Sequence, residues 1–489
     1  MAPVPVPEYI ETRLFINGEF VNSSTGKTFD VFSPYDQHKV ATVQEATEPD
    51  IDAAVSAAKA AFPAWSALAP TARGTLLRKL GDAVAAATSD LAALDALVMG
   101  RPISTYFDGP FAAELLHHYS EAGFEPAGKT SLHTPGTVNL TLRQPVGVAA
   151  AIIPWNVPMI ILAHKVGPAL AAGCTLVVKS SEKAPLSSLR FAQLVREVGF
   201  PSGVVNVVSG FGRPAGEALA RHMDVRMISF TGSGPTGKLV QKYAAESNLK
   251  RVVLELGGKS PTLVFEDADV EAAAAEAAFG IRFVSGQACV AGSRVYVQES
   301  AAERFKRAFE VAFAEFVPGD PLDPATTMGP QADRIQFERV KGFLEEIRNG
   351  DGQVRVGGGA LEVNGKGFFI QPTVFEAKDE GVRAMREEIF GPVISINTFT
   401  TEEEAIAKAV DTEYGLFSSV YTKNIDRALR VAKAMEAGVV AVNCTAPAGL
   451  ASDMPFGGYK QSGLGREGFG YSIENYLQTK TVTIKLAPA

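Results

Sequence analysis

Cysteine is scarce in this chain of 489 residues: only Cys174, Cys289 and Cys444 occur, an odd number spread far apart. That excludes a disulfide framework and suits a reducing compartment with three free thiols. Basic runs are missing as well. Lys and Arg total 46 against 54 Asp and Glu, and they are scattered, so a net charge of -8 argues against nucleic acid and anionic membranes as partners. No uninterrupted apolar run reaches the roughly 18 residues of a membrane span. The opening MAPVPVPEYIETRLF has no basic segment followed by an apolar one. The terminal Ala487-Pro488-Ala489 matches no retention or peroxisomal signal, and the absence of a cysteine there excludes prenylation. These absences lead us to expect a cytoplasmic protein. Internal repeats and low-complexity tracts are also absent, and the Gly clusters at 357–359 and 457–458 are turn-sized.

What is present is a composition for packing, 46% hydrophobic and 20% charged, in a chain long enough for two or three domains. After a strand-like stretch near Leu14–Val21 come Ala-rich segments from Ile51 to Met99 with apolar residues at helical spacing. From Val146 the pattern changes: short Val/Ile/Leu runs alternate with amphipathic segments as far as RVVLELGG. Continuous apolar runs suit strands buried on both faces, and crossovers of a dozen or so residues suit parallel pairing. The reading is a doubly wound parallel sheet, whose ligands bind at the C-terminal ends of its strands. A second α/β region follows, with a helix-like DADVEAAAAEAAFGIRF, the strand-like SRVYVQ, a charged helix after Asp333, and SSVYT before the helix-like DRALRVAKAM.

Three residues stand out chemically. Cys289 lies in SGQACVAGSR among small neighbours that leave a sulfur open to attack a substrate; the alternative is an apolar filler, which the settings of Cys174 and Cys444 suit better. Glu255 ends a strand just before Gly257-Gly258, as a general base would, or as an ordinary salt-bridged or capping acid would. Asn156, in IIPWNVP, is locally a turn residue beside two prolines, and is also an amide able to stabilise an oxyanion. The run Gly232-Ser233-Gly234-Pro235-Thr236-Gly237 matches G-x-G-x-x-G between a strand and a helix, a context for phosphate at a helix N-terminus. Glu255 then falls near the spacing of a ribose-binding acid, so two readings of it compete.

Together these segments resemble the aldehyde dehydrogenase superfamily, from FINGEF at Phe15 to the Val482 of NYLQTKTV. The ordered signatures are PWN (Pro154–Asn156), KSSEKAP (Lys179–Pro185), FTGS (Phe230–Ser233), LELGGKSP (Leu254–Pro261), GQACVAGSR (Gly286–Arg294), EEIFGP (Glu387–Pro392) and PFGGYKQSGLGRE (Pro455–Glu467). The resemblance implies a nicotinamide-dependent oxidation of an aldehyde to its acid, with Cys289 as nucleophile, Glu255 as water-activating base and Asn156 as oxyanion donor. It places the dinucleotide along Ile152, Pro154, Trp155, Lys179, Glu182, Gly212, Phe230, Thr231, Gly232, Ser233, Leu256, Glu388 and Phe390, and calls for no metal. Lys179 and Glu182 match the adenosine-ribose contacts, Ser233 a pyrophosphate contact, and Glu388 with Phe390 the nicotinamide-ribose end. A carboxylate at Glu182 favours NAD, and Lys179 leaves NADP use open.

The expected fold class is α/β: a doubly wound dinucleotide-binding domain (1–124 and 146–257), a second α/β catalytic domain (258–457), and a small β oligomerisation extension (125–145 and 478–489). The extension implies a homodimer or homotetramer. Departures from the family pattern gather in the presumed substrate tunnel: Val157 and His164 stand where aromatic residues are common, and Asn443–Gly458 is slightly longer and less aromatic. His164 reads as a tunnel-lining or packing residue, with a catalytic role as the alternative. Rival functions are a coenzyme A-acylating relative, which needs no base at Glu255, and an inactive scaffold, which needs none of Cys289, Glu255, Asn156 and Glu388.

Overall fold

The computed structural model describes residues 4–124, 126–451 and 453–487, so the parts of the expected extension at 125, 488 and 489 lie outside the described residues. Two twisted sheets organise the chain. The first has eight strands in the order Glu19–Val21, Leu14–Ile16, Val205–Ser209, Thr175–Ser180, Val148–Ile152, Val225–Thr231, Arg251–Glu255 and Gly463–Leu464. Its central five strands are parallel and run 3-2-1-4-5 in chain order. The order reverses between Val148–Ile152 and Val225–Thr231, so the C-terminal ends of these strands flank the switch point where such sheets bind ligands. Every residue of Val148–Ile152, Thr175–Ser180 and Val205–Ser209 is buried, the polar Thr175, Lys179, Ser180, Asn206 and Ser209 along with the apolar ones.

Helices cover both faces. Pro70–Ala86, Thr88–Met99, Asp108–Glu121, Pro158–Ala172 and Leu186–Val198 share one core with the sheet, built on residues such as Leu77, Leu91, Leu116, Leu162 and Leu189. Glu48–Ser66 and Gly234–Glu246 pack the other face through Ile51, Val55, Val240 and Tyr243. The first of these begins with a capping box, Thr47 and Asp50 satisfying each other's backbone N–H groups.

The second sheet has seven strands in the order Gly352–Val356, Thr373–Ala377, Val393–Phe399, Arg294–Gln298, Pro261–Val264, Phe417–Tyr421 and Val439–Val442, all parallel except the first. Its expected segments appear as Arg294–Gln298, the helix Arg334–Glu346 capped by Asp333, the strand Phe417–Tyr421 and the helix Ile425–Ala434. The link Leu256–Ser260 carries the chain from the C-terminal end of Arg251–Glu255 to the start of Pro261–Val264. A third, antiparallel sheet joins Leu477–Lys485 to Thr137–Pro145, with Thr130–Ser131 beyond. Among the described residues no helix is long and apolar enough to cross a membrane.

Candidate active site

Cys289 sits in the loop between the 3-10 turn Phe283–Gly286 and the strand Arg294–Gln298, on the N-terminal side of the second sheet. The turn is strained: Val284 and Ser285 have φ of 49° and 54°, and Gly286 follows at 75°. A β-branched residue there is an outlier that only surrounding contacts can hold. Those contacts are buried amides. Gln287 Nε2 donates to the Val284 carbonyl (3.0 Å), the Ala332 N–H donates to Gln287 Oε1 (2.9 Å), and Gln331 Nε2 donates to the Ser285 carbonyl (3.2 Å). Gly258 is required alongside, because a Cβ on it would collide with the Cys289 carbonyl oxygen.

Asn156 is buried in the turn between Val148–Ile152 and the helix Pro158–Ala172, and its Nδ2 donates to the Gln287 carbonyl at 2.9 Å. Both local readings are therefore met: it is a turn residue, and its amide is fixed against the nucleophile loop. The second amide hydrogen is free to serve an oxyanion. Glu255 ends its strand, and its carboxyl lies beside the Cys289 thiol, near enough for each to shift the other's pKa. Burial pushes this carboxyl up to about 8, with the thiol contact pulling the other way. Burial, and then Glu255, raise the thiol well above its usual value. Glu255 Oε1 is buried without a partner, as is Oγ1 of Thr231, its register partner on the next strand. Unpaired polar atoms at the ends of adjacent strands mark a place for a ligand or water.

The expected cofactor residues form a row along the same edge. Ile152 pairs in register with Lys179 on one side and Phe230 on the other. Lys179 Nζ lies 3.7 Å from Glu182, and burial lowers its pKa. Gly212 lies at the neighbouring loop, where a Cβ would meet nothing within 4 Å. Ser233 is the N-cap of Gly234–Glu246, and Gly234 likewise has open space beside it, so the helix N-terminus is unobstructed for a phosphate. Gly232 is packed on the Phe230 ring, and Leu256 donates its N–H to the Ser462 carbonyl at 2.9 Å while filling the space beside Gly237.

Glu388 and Phe390 reach this edge from the second sheet. The Gly258 N–H donates to Glu388 Oε1 at 3.0 Å, and burial pushes that carboxyl up to about 7. Phe390, at φ 62°, stands edge-on to Trp155 with ring centres 5.5 Å apart, and Lys183 Nζ caps the Trp155 ring at 5.2 Å, next to Pro154. Gln336 and Arg339 hold this corner by donating to the carbonyls of Phe390 (2.6 Å) and Glu388 (2.7 Å). An open helix N-terminus, unpaired side-chain oxygens at two adjacent strand ends and a carboxylate on glycine backbone together fit a dinucleotide.

One buried group escaped the sequence reading. Lys165 Nζ contacts Glu467 Oε1 at 2.8 Å and Ser229 Oγ at 2.7 Å, and its charge bears on Glu255. A lysine inside the apolar HKVGPALAAG was the available signal. Cys174 is fully buried and donates to the Tyr476 carbonyl at 3.3 Å, and burial pushes it up to about 12, as a structural thiol should be.

The aldehyde dehydrogenase family model matches residues 20–482. The chain belongs to the aldehyde dehydrogenase family. An aldehyde dehydrogenase of Davidiella tassiana is 46% identical over 480 residues, covering 98% of this chain and 96% of that protein. One from Alternaria alternata is 44% identical, covering 97% and 95% respectively. Among solved structures, PnpE in complex with nicotinamide adenine dinucleotide is 42% identical, with a TM-score of 0.95 over 98% of this chain and 99% of that one. A mutant of the indole-3-acetaldehyde dehydrogenase AldA of P. syringae, in complex with NAD+ and IAA, is 41% identical with the same TM-score, covering 98% and 97%.

Proposed function

We propose that the protein oxidises an aldehyde to its carboxylic acid with NAD, through covalent intermediates on Cys289. The observation that carries this reading is the Cys289 thiol held against the Glu255 carboxyl, with Asn156 fixed to the same loop. Loss of the thiol proton lets the sulfur attack the carbonyl carbon, forming a C–S bond and a thiohemiacetal oxyanion. The Asn156 amide and the Cys289 backbone N–H stabilise that charge; a donor of this kind is worth about 3 kcal/mol. When bound, the nicotinamide supplies the acceptor for the hydride lost from the former aldehyde carbon. The oxidised product is a thioester on Cys289. Glu255 takes a proton from water, hydroxide adds to the thioester, the C–S bond breaks, and the acid leaves with the thiol restored.

Lys179 and Glu182 hold the adenosine ribose, Gly212, Phe230–Ser233, Ile152, Pro154 and Trp155 the pyrophosphate side, and Leu256, Glu388 and Phe390 the nicotinamide end. In this division residues 1–124 with 146–257 bind the dinucleotide, and 258–457 carry the nucleophile. Glu182 accepts hydrogen bonds from a 2′-hydroxyl and repels a 2′-phosphate, so NAD is preferred over NADP. In the third sheet, Leu477–Lys485 is an edge strand of nine residues. Such an edge invites pairing with a second copy, giving a homodimer or homotetramer in the cytoplasm.

Product analysis with NAD, with and without coenzyme A, tests the route. Free acid formed at the same rate in both supports hydrolysis by Glu255; acyl-coenzyme A formed at the expense of acid contradicts it.

A further inference from the structure

Lys183 joins the two sheets beside the cofactor edge. It lies in the loop between Thr175–Ser180 and Leu186–Val198, next to Glu182. Its Nζ meets Asp333 Oδ2 at 2.6 Å and stands over the Trp155 ring, 5.2 Å from the centre. Asp333 is the N-cap of Arg334–Glu346, a helix that packs on the second sheet through Val340 and Phe343, and its other oxygen accepts the Gln336 N–H at 2.8 Å. Gln336 Nε2 in turn donates to the Phe390 carbonyl at 2.6 Å, and the Phe390 ring stands edge-on to Trp155. The contacts close on themselves: Lys183, Asp333, Gln336, Phe390, Trp155 and back to Lys183. The lysine and aspartate side chains are 22% and 29% exposed, so water screens their pair only in part. A free lysine stem samples many rotamers, and its ammonium stays over one indole only when something holds it there. Asp333 supplies that hold. The helix start does not depend on the pair, because the next residue, Arg334, donates to Gln37 Oε1 at 2.9 Å. What the pair governs is the indole, with an ammonium over its ring and Phe390 beside it.

Resting on the dinucleotide placement proposed above, we infer that Lys183 is a positioning residue: tied down by Asp333, it fixes the Trp155 indole in the orientation that receives the dinucleotide. The test uses the full chain without aldehyde and reads two quantities, the tryptophan emission of the cofactor-free protein and the Kd for NAD by calorimetric titration. Trp65, the only other tryptophan, is buried against Phe200, so a change of emission at Lys183 reports Trp155. The variants are Lys183→Met, Lys183→Arg, Asp333→Asn and the double Lys183→Met/Asp333→Asn; asparagine keeps the helix cap while removing the charge. The Kd for NAD is expected to rise about five- to tenfold in Lys183→Met, the scale of one partly exposed ion pair and one cation–ring contact. Asp333→Asn loses as much, the double variant loses no more than either, and the emission shifts in all three. Lys183→Arg, which keeps the charge and stacks on aromatic faces, restores most of both readouts. Emission or NAD affinity unchanged in Lys183→Met overturns the inference. So does tighter NAD binding in Asp333→Asn, the result expected if Lys183 instead drew the pyrophosphate by its charge, which Asp333 would otherwise neutralise. A wild type that binds no NAD overturns the dinucleotide placement along with it.

Discussion

The Cys289 thiol lies beside the Glu255 carboxyl, close enough for each to shift the other, and both groups are pushed upward in pKa by burial. At neutral pH the resting pair therefore holds its protons, and chemistry begins only when one is removed.

Activity accordingly depends on pH. With Glu255 pushed up to about 8, the base form grows as pH rises through that value, so steady-state kcat rises from pH 6, reaches half its maximum near that value and levels only about one pH unit above it. The limb belongs to the coupled pair rather than to either residue alone. In Glu255→Gln the first turnover of NADH persists as a burst, followed by slow steady-state release of acid, because acylation survives and thioester hydrolysis does not. Stopped-flow absorbance reads both phases; an unaltered steady-state rate contradicts the assignment.

Asn156→Ala removes an oxyanion donor and the bond to the Gln287 carbonyl. We expect kcat to fall about 100- to 1000-fold, with NAD affinity nearly unchanged. Steady-state kinetics and a fluorescence titration with NAD check the two halves.

Lys165→Met strands the buried Glu467 carboxylate, whose pKa the ion pair otherwise holds below its usual value. Breaking one side of such a pair costs about 3–5 kcal/mol. Removing both charges in Lys165→Met/Glu467→Gln costs less. Guanidinium unfolding curves measure the two variants side by side.

Stability should also carry a pH signature from Asp95. Burial pushes this carboxyl up to about 7, above its value in the unfolded chain, with Tyr106 donating to it at 3.2 Å. The folded state then binds the proton more tightly, so the contribution is fully present below about pH 4. It is lost as pH rises through 7. Asp95→Asn flattens the fall in Tm between pH 5 and pH 8, read by differential scanning fluorimetry.

Much of this architecture was legible in the sequence because the central strands carry short apolar stretches, such as Val148–Ile152, between amphipathic segments of helical period. Cys289, Glu255 and Asn156 stood out through ordered signatures, and the geometry gathers all three at one loop. Glu255 was ambiguous locally, since the strand end that suits a base also suits a ribose acid; its contact with the Cys289 thiol supports the first reading. What could not be read is long-range. Lys165 and Glu467 are 302 positions apart and meet only through the fold. The left-handed conformation of Val284 is likewise imposed by the buried amides of Gln287 and Gln331, against its own preference.

The most direct test is NADH formation across a panel of aliphatic and aryl aldehydes by the wild type and by Cys289→Ala, with NAD binding measured on both. The account predicts sustained turnover in the wild type, none in Cys289→Ala, and equal NAD binding; steady-state NADH formation by Cys289→Ala would contradict it.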